Sequence, residues 1–363
     1  MEAYKMNFKL NEPIRISFHS FTHRENVLLK LTRNDVIGYG EAAPFKLITE
    51  DTQAEVFEYL SKNKDLVEKE LDISEIHEKL PHGSQTSRAA IDFALHDLIG
   101  KKKGIPAHKF YSDKTNKVLN SVTIFIKDLE STQLEAQRIL GAYPDLKIIK
   151  IKLSGVKDVE RANKIKSCTP SGISFMLDAN QAFDDPNNAI KFLNQVCDIL
   201  GDVILIEEPC PKGDLEKLKH VKENMSVPII ADETCVDIDD LRKIIEKDAA
   251  DGINIKLQKA GGIYPGRLMA ELAADHGLKI MVGSMLEGPI SIAAGVHFAM
   301  STPSVFVTDL DMDLDLPKHW NYRADFVEGS RIPANQPGLG VELDFNSIEK
   351  YKKEGKLDFE RII

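Results

Sequence analysis

Lys150 and Lys152 stand two apart in an otherwise apolar run, Lys147-Ile148-Ile149-Lys150-Ile151-Lys152-Leu153. On a strand, residues so spaced point to the same side. Two ammonium groups side by side in a buried strand repel each other, and lysine is rarely buried without a partner. One of the pair is therefore expected to have a lowered pKa, the route by which a lysine, at about 10.4 in water, becomes a base near neutral pH. A further lysine, Lys256, closes the run Asn254-Ile255-Lys256.

Acids close three more apolar runs, at Asp178, Glu207 and Asp232. A single acid in such a place is more often a loop residue or a helix cap than a ligand. Three on successive strands would converge, and carboxylates that close are tolerable mainly around a cation. An all-oxygen set with open positions suits a hard ion, Mg²⁺. Glu208, Asn180 and Gln181 stand beside these acids as candidates to orient them. Asp309 and Asp311 close the last apolar run, within an alternating acidic stretch that ends at Asp315 and otherwise reads as a solvated edge.

These residues need elements to carry them. From about residue 118, strand-like runs recur at 118–126, 148–153, 173–177, 203–206, 228–231, 252–257, 279–282 and 305–310, with amphipathic helical segments between. Measured from Lys152 through Asp178, Glu207, Asp232, Lys256 and Gly283 to Asp309, the steps are 26, 29, 25, 24, 27 and 26 residues. Eight β-then-α units at so constant a step predict a (β/α)8-type barrel, whose chemistry sits at the C-terminal strand ends.

The helix punctuation agrees, with Asp185-Pro186 opening one helix and Gly277 closing another. Residues 1–112 read as an α+β domain, with strands at 4–10, 26–31 and 36–39, the last running into a Gly38-Tyr39-Gly40-Glu41 turn, then helices at 52–71 and 88–99. Residues 113–330 form the barrel domain. Residues 331–363, opening with the turn-rich 332–338 segment and continuing as a strand and a short charged helix, fall outside the rhythm and are placed back against the first domain.

In a closed eight-stranded barrel, strand 2 lies opposite strand 6 and strand 8 opposite strand 4. Lys152 and Lys256 then face each other across the mouth, and Asp309 and Asp311 face the metal site. A substrate with its carboxylate on the ion and its ammonium on the aspartates would hold its α-carbon between two lysines. That arrangement predicts proton removal on one face and return from the other. The ion must carry the charge of the resulting enediolate, because an amine alone is too weak a base for such a proton.

Composition narrows the alternatives. With 47 Lys+Arg against 57 Asp+Glu, the net charge is −10, which disfavours nucleic acid as a partner. The four cysteines show no metal-ligand spacing, so reduced thiols in a cytoplasmic protein are the simpler reading. Cys210 and Cys235 follow ligand strands and read as packing residues or as supports of the ligands rather than as nucleophiles, and His297 as structural. No apolar run reaches the roughly 20 residues that span a bilayer, so no membrane partner is expected. A homo-oligomer is compatible with the sequence.

Assembled, these motifs resemble the enolase superfamily in its muconate-lactonizing branch, and within it the dipeptide epimerases of L-Ala-D/L-Glu type. The resemblance rests on Gly38-Tyr39-Gly40-Glu41-Ala42-Ala43-Pro44, Lys150-Ile151-Lys152, Leu177-Asp178-Ala179-Asn180-Gln181, Ile206-Glu207-Glu208-Pro209, Ala231-Asp232-Glu233-Thr234, Asn254-Ile255-Lys256-Leu257, Lys259-Ala260-Gly261-Gly262, Gly283-Ser284-Met285-Leu286-Glu287 and Asp309-Leu310-Asp311. It implies a modified (β/α)7β barrel under an N-terminal α+β capping domain that the C-terminal segment completes.

It also implies Lys152 and Lys256 as the acid/base pair, Lys150 tuning Lys152 and touching the substrate carboxylate, and Mg²⁺ on Asp178, Glu207 and Asp232. The expected substrate is a small dipeptide, from murein-peptide salvage, inverted at its C-terminal residue, with Asp309 and Asp311 on its ammonium. Capping loops at about 17–24 and 44–49 choose side chains. His19 stands where Ala-Glu epimerases carry an arginine, with Arg15 and Arg24 nearby, and Ser284, Met285 and Glu287 are expected to line the same pocket. Competing readings are an o-succinylbenzoate synthase, N-acylamino acid racemase or cycloisomerase on this scaffold, a Schiff-base aldolase, and a non-catalytic binding barrel.

Overall fold

The structure, a computed structural model, describes residues 1–113, 115–155, 157–314, 316, 324–333 and 335–363. Asp315 and Ala334, which belong to the acidic stretch and the turn-rich segment noted above, lie outside the described residues.

Three antiparallel strands open the chain, β1 (Glu2–Arg15), β2 (Ser20–Arg33) and β3 (Val36–Ala42), and the terminal strand Leu357–Arg361 adds to the free edge of β1. Four helices follow, α1 (Gln53–Lys62), α2 (Lys64–Val67), α3 (Ile73–Lys79) and α4 (Gln85–Lys103). The single helix expected over 52–71 is broken. Thr52 and Glu55 cap the start of α1 reciprocally, and Asn63, at φ −106° and ψ 9°, leaves helical geometry before α2.

The turn expected at Gly38-Tyr39-Gly40-Glu41 is also corrected, because β3 runs straight through it in register with β2. Its glycines answer to packing instead. A Cβ on Gly38 would stand 2.1 Å from the Ala94 carbonyl oxygen, and one on Gly40 1.9 Å from that of Ala90. Helix α4 therefore lies directly on the strand backbone.

The remaining chain alternates strands and helices: β4 (Ser121–Ile124), α5 (Leu129–Ala142), β5 (Ile148–Lys152), α6 (Asp158–Cys168), β6 (Ser174–Asp178), α7 (Pro186–Leu200), β7 (Val203–Glu207) and α8 (Leu215–Asn224). It continues with β8 (Ile229–Ala231), α9 (Ile238–Lys247), β9 (Gly252–Ile255), α10 (Leu257–Ala260), α11 (Ile263–Asp275), β10 (Lys279–Gly283), α12 (Pro289–Ser301) and β11 (Val305–Asp309). The eight strands pair in parallel in chain order. Thr308 closes the ring by donating its backbone N–H to the Leu119 carbonyl at 2.9 Å.

A short hairpin, β12 (Ala324–Val327) and β13 (Ser330–Pro333), follows, then a helix at Phe345–Lys353 and the terminal strand. The sequence reading put a strand before the charged helix of this segment, whereas the strand that pairs in the N-terminal sheet follows that helix. Asp185 caps α7 through the Asn187 N–H, with Pro186 in the first turn, and Gly277 follows α11 at φ +71°. Among the described residues, no helix is long and apolar enough to cross a membrane.

Inside the barrel the pleat stacks side chains in layers. Ile148, Met176, Leu205, Ile230, Met281 and Val307 form a buried apolar layer. Two residues further along the same strands stand Lys150, Asp178, Glu207, Asp232, Gly283 and Asp309. A period of two puts these on the same interior face, one layer nearer the C-terminal mouth. The charged site therefore rests on an apolar plug.

Replacing Gly40 with alanine is expected to lower stability by about 1–3 kcal/mol, because the added methyl must displace the α4 backbone. A urea denaturation midpoint equal to wild type would refute that account of the motif.

Candidate active site

Carboxylates at the ends of β6, β7 and β8 converge. One oxygen from each of Asp178, Glu207 and Asp232 lies within 4.8 Å of the others, and all three residues are buried. The neighbours hold these acids in place. The Asn180 backbone N–H donates to Asp178 Oδ1 at 3.0 Å, and Asn254 Nδ2 to Glu207 Oε2 at 2.7 Å. Glu208 accepts from the Asp232 N–H at 2.7 Å and the Thr234 N–H at 3.1 Å, which fixes the backbone that presents Asp232. Gln181 stands further out, accepting from the Lys212 N–H at 2.9 Å. The donor set, three buried carboxylates and no softer ligand, fits a hard divalent ion.

Four lysines ring these acids. Lys152 Nζ donates to Asp178 Oδ2 at 2.6 Å and Lys256 Nζ to Asp232 Oδ2 at 2.7 Å. Lys259, on α10, meets the other oxygen of Asp232 at 2.8 Å. Lys150 lies beneath them, 2.7 Å from Asp309, 2.8 Å from Glu207 and 2.9 Å from Asp178. Strands β5 and β9 are four apart in the ring of eight, so Lys152 and Lys256 approach the mouth from opposite walls.

The lowered pKa expected for one lysine of the Lys150/Lys152 pair does not fall on Lys150. Burial pulls its pKa down, but Asp178, Asp309 and Glu207 outweigh that and hold it well above the ordinary lysine value. Asp232 does the same for Lys256 against its own burial. The repulsion inferred from sequence omitted these partners. Lys150 works as a cationic strut between β6, β7 and β11, below the cavity and not on its wall.

Above the charges lies a cavity bordered by Lys152, Lys256, Asp309, Asn180, Ser284 and Met285 among others. Asp309 accepts from Lys150 and from the Ser121 and Thr123 hydroxyls at 3.0 and 3.1 Å. Asp311 accepts the Thr123 N–H at 2.7 Å through one oxygen, while its other oxygen has no partner among the described residues. Burial, reinforced by Asp309, pushes Asp311 up to about 7. It borders a smaller hollow beside the main cavity. Ser284 donates to the Asp309 carbonyl at 2.8 Å.

Besides Lys150 and Asp311, three expected side-chain contacts are not brought to the wall of the main cavity. Arg24 is buried, donating to the Glu287 and Met312 carbonyls at 2.9 and 2.6 Å, where it ties β2 to two barrel loops. Glu287 turns inward and accepts the Met285 N–H at 3.0 Å. His19 is exposed and packs edge-on against Phe21, with ring centroids 4.6 Å apart.

Conversely, Glu233 borders the cavity without having been singled out. It is buried, accepts from Asn180 Nδ2 at 2.9 Å, and has one oxygen without a partner among the described residues. Its place directly after a ligand acid was the available signal. Asn254 was equally legible, since it stands two before Lys256 and must share its face.

The comparisons with known proteins agree with this fold. Residues 2–110 match the mandelate racemase / muconate lactonizing enzyme N-terminal domain, and residues 132–347 the enolase C-terminal domain-like family. The chain belongs to the enolase superfamily. Within it, the similarities fall among dipeptide epimerases and N-succinyl amino acid racemases, isomerases of amino acid derivatives.

An L-Ala-D/L-Glu epimerase of Clostridium acetobutylicum is 30% identical over 93% of this enolase-superfamily chain and 96% of its own. The N-succinyl Arg/Lys racemase structure from Bacillus cereus superposes with a TM-score of 0.88 at 26% identity, covering 100% of both chains. A dipeptide epimerase structure from Enterococcus faecalis, with Mg and L-Leu-L-Tyr, reaches 0.83 at 28% identity over 94% of this chain and 100% of that one.

Glu287 supplies a pH test of the seam between capping domain and barrel. Burial raises its pKa from 4.5 to about 8, with Glu41 adding to the effect. An acid raised in the folded state holds a proton that the unfolded chain has lost, so stability falls as pH rises through that window. Glu287→Gln is therefore expected to gain on the order of 1–3 kcal/mol relative to wild type between pH 5 and pH 9. Melting temperatures that track wild type across that range would contradict it.

Proposed function

We propose that the chain is a Mg²⁺-dependent dipeptide epimerase that inverts the α-carbon of the C-terminal residue through Lys152 and Lys256. The observation that carries this reading is the pair of lysines bordering one cavity from opposite walls, above three converging carboxylates. Asp178, Glu207 and Asp232 would hold the ion, which supplies the positive charge that offsets the developing enediolate. One lysine removes the α-proton and the other, protonated, returns a proton to the opposite face. Asp309 and Asp311 receive the substrate ammonium, for which the unpartnered oxygen of Asp311 has capacity.

Lys152→Ala and Lys256→Ala are each expected to lower epimerisation by about 10²–10⁴-fold, the usual range for loss of a positioned acid or base. In D2O each variant should exchange the α-proton of at most one diastereomer. Exchange of both at wild-type rates would remove the two-base account.

One observation favours N-acyl amino acid racemisation as a second reading: both oxygens of Asp309 are already engaged by Lys150, Ser121 and Thr123. The two readings part at the aspartates. Asp311→Asn is expected to depress dipeptide exchange by about 10²-fold, because the ammonium loses its counter-charge, while leaving any N-succinyl amino acid exchange nearly unchanged. Loss of both reactions together, or of neither, would count against the ammonium-binding role.

A further inference from the structure

We propose that this site selects dipeptides in which the side chain of the residue being inverted is apolar. The inference rests on the dipeptide reading above and names its substrate class. The cavity has two unlike surfaces. Its charged residues, Lys152, Lys256, Asp309 and Glu233, come from the barrel strand ends, while the capping domain contributes only apolar side chains.

That roof is built from aromatic rings. Phe45 meets Phe21 edge-on with centroids 4.9 Å apart, and Phe18 stacks beyond it at 6.5 Å. Ile16 and Ile48 extend the same wall, and Ser17 Oγ bonds the Asn180 carbonyl, tying the loop to the end of β6. Phe18 remains 38% exposed beside the cavity, apolar surface that a ligand side chain would cover.

Among the described residues, a charged side chain finds no free counter-ion in that roof. A glutamyl carboxylate needs a cation, but Lys152 and Lys256 are paired with Asp178 and Asp232, Arg24 is buried under two carbonyls, and His19 packs against Phe21 outside the lining. An arginyl or lysyl group needs an acid in the roof. Among the described residues the acids bordering the cavity, Asp309 and Glu233, lie in the floor and not in the roof; Lys150 engages Asp309, and Asn180 engages one oxygen of Glu233 while the other has no partner.

The two subsites follow from the hollow that contains Asp311. Ile14, Phe125 and Met312 border both that hollow and the main cavity and flank the ammonium end, but Arg24, Glu135 and Arg138 also border the hollow, so the N-terminal side chain meets a mixed surface. Phe18, Phe45 and Ile48 then cover the side chain of the residue being inverted.

The test follows α-proton exchange by mass in D2O with Mg²⁺ and the full chain, offering L-Leu-L-Tyr, L-Ala-L-Ala, L-Ala-L-Glu, L-Lys-L-Arg and N-succinyl-L-phenylalanine. At about fourfold per buried methylene, L-Leu-L-Tyr should exceed L-Ala-L-Ala in kcat/KM by about tenfold or more, and the charged dipeptides by about 10²-fold. A charged dipeptide exchanging as fast as L-Leu-L-Tyr would overturn the apolar assignment and leave dipeptide epimerisation standing. Exchange of the N-succinyl compound alone, or of no compound, would overturn both.

Phe18→Lys, at a partly exposed position that tolerates charge, should raise the ratio of L-Ala-L-Glu to L-Leu-L-Tyr by about tenfold or more. Phe45→Lys is the second variant. An unchanged ratio in both would show that the roof does not select the side chain.

Discussion

The structure depends on a charge balance struck inside the barrel mouth. Lys150, Lys152, Lys256 and Lys259 are buried there against Asp178, Glu207, Asp232 and Asp309 at hydrogen-bonding distances. Such groups are costly to bury alone and tolerable only when each is paired. The apolar layer beneath gives no polar alternative, so the ammonium and carboxylate groups organise one another. A change in the ionic content of the cluster therefore alters which lysine is free to exchange a proton.

The capping domain is bound to this arrangement through buried polar contacts. Glu41 of β3 accepts the Gly288 and Ser291 N–H groups at 2.8 and 3.1 Å, acting as the cap that α12 does not supply from its own sequence. Gln258 bridges Glu41 and Ala43 at the start of α10, the helix that carries Lys259. Arg24 holds the loops that follow β10 and β11. The same strands that enclose the cavity thus fix the barrel segments on which its charges stand. Roof and floor are one mechanical unit.

Much of this was legible in the chain. The polar residues at the strand ends could be found because a barrel interior of period two places an acid or lysine two positions beyond an apolar residue, as with Met176 and Asp178 or Ile230 and Asp232. What a local pattern omits is the partner from a distant strand. One lysine of the Lys150/Lys152 pair read as a depressed base because only the two were in view, whereas Asp178, Asp309 and Glu207, from other strands, hold Lys150 charged. The Gly38 and Gly40 motif read as a turn because the helix pressing on it is likewise remote in sequence. Arg24 and His19 had the right charge for a specificity role, but whether a side chain on a long strand faces the cavity or the seam is set by packing.

The central claim is that one carbon is held between two amines above an ion gripped by three acids. A crystal structure with Mg²⁺ and an apolar dipeptide tests it most directly. The account predicts the ion on Asp178, Glu207 and Asp232, with the α-carbon of the C-terminal residue between the Nζ atoms of Lys152 and Lys256 on opposite faces. Both amines on one face of the ligand, or an ion bound away from those carboxylates, would contradict it.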